Sequence, residues 1–182
     1  MSESAYPIAI FFAAIFTNNI LLSNYLGMCS FLSVSRELKT SLGLGVAVIF
    51  VMTSTSMLNW VVYYKVLQPL ELEYLRFIVF IIVIAAFVQL VEMIIERVSE
   101  VLYAALGIFL PLITVNCAIL GVSLFMVIRE YSFVESITFG LGSGIGWLLA
   151  ILAMVGIRQK LKRARIPHGL EGLVIAIDMR LR

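Results

Sequence analysis

Five blocks of apolar sequence, each long enough to cross a lipid bilayer, leave this chain few ways to fold. They run Tyr6–Met28, Leu42–Val66, Tyr74–Ile95, Val101–Ile128 and Phe133–Ile157. A hydrocarbon core about 30 Å thick takes about 20 residues of helix at 1.5 Å each, and lipid satisfies no backbone polar group, so such blocks must be helical. Of the 182 residues 62% are hydrophobic, whereas a soluble domain is roughly half apolar. A water-soluble fold is therefore excluded. The stretch RQKLKRAR, residues 158–165, holds five basic residues and no acid, which makes it a cytoplasmic loop under the positive-inside rule. SRELK and ERVSE then face the same side, and the N-terminus faces the other. Net charge is only +2 and the basic residues gather at this one membrane edge, so no nucleic-acid partner is expected. Met1–Pro7 carries no positive charge and no small-residue cleavage site follows it, so no cleavable signal is expected. Trp60 and Trp147 are expected to anchor helices at the membrane interfaces.

The only two cysteines open the same phrase, CSFLSVS at residues 29–35 and CAILGVS at residues 117–123. The copies lie 88 residues apart, and a second echo follows each, TSLGLG from Thr40 and TFGLG from Thr138. Three spans separate the copies, and an odd number inverts the second relative to the first. That is the inverted repeat found in broken-helix membrane folds. The expected fold is an all-α membrane protein: one transmembrane domain over residues 1–182, six helices in a 3+3 inverted repeat (approximately 6–95 and 101–182). The sixth helix is expected to be incomplete, because the apolar stretch Leu170–Ile177 is too short to cross.

Inverted copies place equivalent residues at mirrored depths, so Cys29 and Cys117 can meet only near mid-membrane. An unbroken helix from Pro7 would carry Cys29 about 33 Å along its axis, to the far surface. Each first helix is therefore expected to be broken or re-entrant, at Asn18, Asn19 and Gly27 in one half and at Pro111, Thr114 and Asn116 in the other. Two cysteines away from oxidant make a poor disulfide, and they are half of a four-ligand zinc or iron–sulfur site. Packing remains the alternative for a small apolar residue.

The stretches NNILLSNYLGMCSFLSVS, QLVEMIIERVSEVLYAALGIFLPLITVNCAILGVSLFMV and FGLGSGIGWLLAILAMVGIRQKLK resemble a family of bacterial inner-membrane proteins. Its members are the E-type subunits of the sodium-translocating NADH:quinone reductases and the A-type subunits of the related Rnf ferredoxin:NAD oxidoreductases. The resemblance covers about Phe11 to Ala176. It implies an electron-transfer subunit of a respiratory translocase that catalyses nothing alone. It also implies a 2Fe–2S cluster inside the membrane, shared with a homologous D-type partner that supplies two further cysteines, with Cys29 and Cys117 as this chain's ligands. Flavins, NADH and quinone would be bound by other subunits, and sodium would be exported.

Gln89 and Glu92, near the cytoplasmic end of the third span, are candidates for a sodium path, because an ionisable residue inside a span is a functional candidate and sodium prefers oxygen ligands. An interface role is the alternative for Glu92. Asn18, Asn19, Thr114 and Asn116 could cap the helix breaks or hydrogen-bond cluster sulfurs. The TSTS run at Thr53–Ser56 and the glycines at 43, 45, 140, 142, 144 and 146 are expected to pack helices, and His168 to lie in a solvated loop. Two other classes stay open: a secondary transporter built on an inverted repeat, which would hold no iron and transport alone, and a purely structural membrane protein.

Overall fold

The computed structural model describes residues 7–34, 38–98, 113–114 and 116–163. Every regular element among them is helical: α1 (Pro7–Ile15), α2 (Met28–Val34), α3 (Leu38–Val62), α4 (Arg76–Val98), α5 (Cys117–Ile128) and α6 (Phe133–Arg163). A π-helical turn, Tyr63–Leu67, extends α3, and a short 3₁₀ turn, Glu73–Leu75, leads into α4. Among the described residues, three helical stretches are long and apolar enough to cross a membrane: Ser41–Leu67, Glu73–Ile94 and Phe133–Lys160. The all-α membrane fold expected from the apolar blocks is the fold observed. The first apolar block, by contrast, is not one helix. It holds two short ones, α1 and the start of α2, joined by irregular backbone.

Small residues set how the helices meet, because lipid supplies no hydrophobic drive for them to associate. Along α6, a Cβ on Gly142 would fall 2.9 Å from Ala14, and one on Gly146 would fall 3.1 Å from the carbonyl oxygens of Ala14 and Ile15. Residue numbers rise together on these two helices, so α1 runs parallel to α6. Gly45 meets Leu148, Gly144 meets Ile49, and Gly140 meets Met52 and Ser56. Here numbers rise against each other, so α3 runs antiparallel to α6. Gly43 departs from the expected packing role: nothing lies within 4 Å of its missing Cβ. The hydroxyls of Thr55 and Ser56 return to their own helix, at Val51 O (2.7 Å) and Met52 O (2.8 Å). Both residues are fully buried inside the bundle.

Depth follows from this axis. Trp147 stands midway along the apolar span of α6 and is fully buried, 0% exposed. It anchors no interface, contrary to the expectation for a membrane tryptophan. Trp60 does sit near a helix end, where its indole donates to Tyr131 O at 3.0 Å. The run RQKLKR, expected to be loop, forms the last turns of α6. Lys, Arg and Gln are good helix formers, and a helix of 31 residues spans about 46 Å, so its basic end emerges beyond the bilayer. Pro111, His168 and the stretch Leu170–Ile177 lie outside the described residues.

Candidate functional site: two cysteines at a double helix break

The first break is built by Asn19, 3% exposed. Its side-chain amide donates to Ile15 O (3.0 Å) and to Gly146 O across the bundle (2.8 Å), while its oxygen accepts from the amides of Leu21 (3.1 Å) and Leu22 (3.4 Å). Backbone groups freed where α1 ends are thereby satisfied inside the protein, as lipid depth requires. Asn18 is half-buried beside it, in a groove shared with Ala13, Arg129 and Tyr131. The break closes at Gly27, whose φ of +85° is open to glycine and strained for other residues. Its carbonyl accepts from Phe31 N (3.0 Å) and Ser30 Oγ (3.1 Å), which starts α2.

The second break ends at Asn116, the N-cap of α5, whose side-chain oxygen accepts from Ala118 N at 3.0 Å. Thr114 is half-buried just before it. Each cysteine therefore sits in the first turn of a half-helix, Cys117 first in α5 and Cys29 second in α2. The positive end of the α5 dipole favours negative charge there.

The two segments touch. Gly27 N donates to Cys117 Sγ at 2.8 Å, across 90 residues of chain. A Cβ on Gly27 would lie 2.8 Å from Trp147 Nε1, 3.1 Å from Ala118 Cβ and 3.2 Å from Asn116 Oδ1. The contact with Trp147 puts Gly27 level with the middle of the apolar span of α6. From this point α5 runs toward the start of α6, and α2 toward the start of α3. The half-helices diverge to opposite membrane faces. Two buried donors border the same spot, Trp147 Nε1 and Asn116 Nδ2, and neither has an acceptor among the described residues. Both cysteines are free thiols, Cys117 half-buried and Cys29 exposed. Among the described residues no three His, Cys, Asp or Glu side chains converge, so a metal bound here would need ligands from beyond those residues.

Cys29, in the first turn of α2, is exposed, and the irregular stretch before it exposes Phe16, Leu22 and Tyr25, the last 73% exposed. Gln89 and Glu92 are not part of this site. They lie three residues apart on α4, exposed and half-buried respectively, and Glu92 is near the end of the span that closes at Ile94. That is about 12 Å of helix rise from the middle. Sequence reasoning found both cysteines and the break residues around them, but missed Trp147, Ser30 and Ala118. The signal for Trp147 was present in GSGIGWLL, where the three glycines just before it let α1 and α3 close on α6.

A membrane-embedded helical bundle with paired thiols where two broken helices meet is the class that this geometry defines. The sequence matches the Rnf-Nqr subunit family, described as membrane proteins, over residues 7–181. The A-type subunit of the Na(+)-translocating ferredoxin:NAD(+) oxidoreductase complex of Acetobacterium woodii is 52% identical over 170 residues, covering 93% of this chain and 88% of that protein. The E-type subunit of the Na(+)-translocating NADH-quinone reductase is 51% identical over 178 residues in Psychromonas ingrahamii and 53% over 174 in Aeromonas hydrophila, each match covering 92% of this chain and 88% of the relative. The chain belongs to the Rnf-Nqr family of multi-pass membrane subunits.

Proposed function

We propose that this chain is the E-type membrane subunit of a sodium-pumping NADH:quinone oxidoreductase, and that Cys29 and Cys117 hold half of a 2Fe–2S cluster at mid-membrane. The observation that carries the reading is the hydrogen bond from Gly27 N to Cys117 Sγ, which joins the two cysteine segments. The surroundings fit an anionic, sulfur-rich group. Gly27 brings its backbone amide to Cys117 with no side chain in the way, and the unpartnered N–H groups of Trp147 and Asn116 lie beside it. When bound, such a cluster supplies one-electron transfer. Cys29 and Cys117 would ligate it, the N-terminus of α5 would favour its negative charge, and the buried side chains of Ile119, Val122 and Trp147 keep water out.

The partner follows from the exposed face at Cys29. Irregular backbone cannot face lipid, so a second membrane protein with its own pair of cysteines covers it (a D-type homologue). NADH, flavins and quinone bind elsewhere in the complex. In this reading the chain lies in the bacterial inner membrane with its N-terminus periplasmic and the end of α6 cytoplasmic. Gln89 and Glu92 then stand near the cytoplasmic surface, where an incoming sodium ion would meet the carboxylate.

The test is EPR and iron analysis of the complex purified through a tag on this chain. Cys29→Ala and Cys117→Ala are each expected to abolish the cluster signal while leaving the partner bound. A full signal surviving either change would overturn the reading. A second reading, the A-type subunit of a ferredoxin:NAD complex, is supported by the 52% identity to that relative. Electron-donor specificity of the purified complex, NADH with quinone against ferredoxin with NAD, decides between them. Glu92→Ala is expected to raise the sodium concentration needed for half-maximal turnover with cluster content unchanged. An identical sodium titration would make Glu92 an interface residue.

A further inference from the structure

Trp147 is among the largest fully buried side chains of the protein, and its indole nitrogen has no acceptor among the described residues. A buried N–H left unpaired costs about 1–3 kcal/mol. Phenylalanine would pack an apolar bundle without that cost. The donor therefore implies an acceptor beyond the described residues, and its position says what kind. Nε1 lies 2.8 Å from where a Cβ on Gly27 would be, on the residue whose own amide donates to Cys117 Sγ at 2.8 Å. Asn116, immediately before that cysteine, brings a second buried and unused donor, Nδ2. Three elements thus bring donor-bearing groups together around Gly27, whose amide holds the cysteine: the first break, the cap of α5 and the middle of α6.

We propose that Trp147 raises the electron affinity of the group bound at Cys117, by donating its indole N–H to a sulfur of that group. The proposal rests on the half-cluster reading given above. A donor to sulfur stabilises the reduced, more negative form over the oxidised one, and hydrogen bonds to sulfur are among the features that set iron–sulfur potentials. Trp147 is thus a tuning residue and not a ligand. Its loss changes the potential without emptying the site.

The experiment is a redox titration of the purified complex followed by EPR, with iron counted in parallel. Two variants are compared with wild type: Trp147→Phe, and benzothienylalanine at position 147, which keeps the indole's shape and replaces N–H with sulfur. The expected result is a lower midpoint potential, by at least a tenfold change in the reduction equilibrium, which is about 59 mV for one electron. Iron per complex stays at the wild-type level, and an exchangeable proton coupled to the reduced cluster disappears from the electron–nuclear double resonance spectrum. If the Phe variant fails to assemble, the shape-preserving variant decides. An unmoved potential and a retained proton coupling in that variant overturn the role of Trp147 while leaving the cluster in place. A wild-type complex without iron overturns the half-cluster reading itself.

Discussion

At the scale of single residues, the site depends on a few side chains that satisfy what the backbone cannot. Asn19 makes four hydrogen bonds at a place where two helices stop short. Asn19→Ala leaves the buried Leu21 amide without its acceptor and removes the tie to Gly146 O, with an expected loss of about 1–3 kcal/mol. Thermal unfolding of the purified complex in detergent measures it, and an unchanged midpoint would mean that water replaces the side chain. Gly27→Ala is expected to be worse. It combines the left-handed backbone, about 1–2 kcal/mol for a residue with a Cβ, with contacts to Trp147, Ala118 and Asn116 that leave the new atom no room. Iron content per complex is expected to fall in this variant even where the protein still assembles. Gly27 and Asn19 were legible in the sequence as break residues, because few other side chains suit that backbone. The reach of Asn19 to α6 was not, since no local pattern reports a contact across 127 residues.

At the scale of elements, sequence and structure agree where local chemistry is strong and part where charge competes with helix propensity. The turn from α5 into α6 is local. Glu130 takes a φ of +52°, Tyr131 N closes back on Met126 O at 3.0 Å, and Ser132 with Glu135 forms a capping box in which Ser132 N donates to Glu135 Oε2 at 2.8 Å. A Ser three residues ahead of Glu announces such a start. Glu135→Ala is expected to cost about 1 kcal/mol and Glu135→Gln much less, because glutamine can also accept from the cap amide. A thermal shift series on the two variants checks the order. The end of α6 differs from the expected loop because a basic run signals a cytoplasmic edge, and it does so equally well as helix. The π-turn at Tyr63–Leu67 left no mark in the sequence, for its extra residue is accommodated by packing around Phe80 and Met126.

At the scale of the whole molecule, the sequence carried the bundle, the doubled cysteine phrase and the need for broken helices, because membrane thickness is a hard ruler. It could not say which face would be left uncovered, since that depends on how all the helices settle together. The unwound stretch after α1 exposes Phe16, Leu22 and Tyr25, and the first turn of α2 exposes Cys29. Expressed without the partner, the chain is expected to aggregate or to bind nonspecifically on gel filtration, and a monodisperse, stable monomer would count against a covered face. The same unwound stretch has a consequence for how the cell must make the protein. Under the proposed pairing, a subunit whose raw edge faces the bilayer is a target for quality-control proteolysis from the moment of insertion, so its lifetime is set by how quickly the proposed mate is synthesised beside it. Matched, neighbouring translation of the two chains is then expected to decide how much of the complex exists.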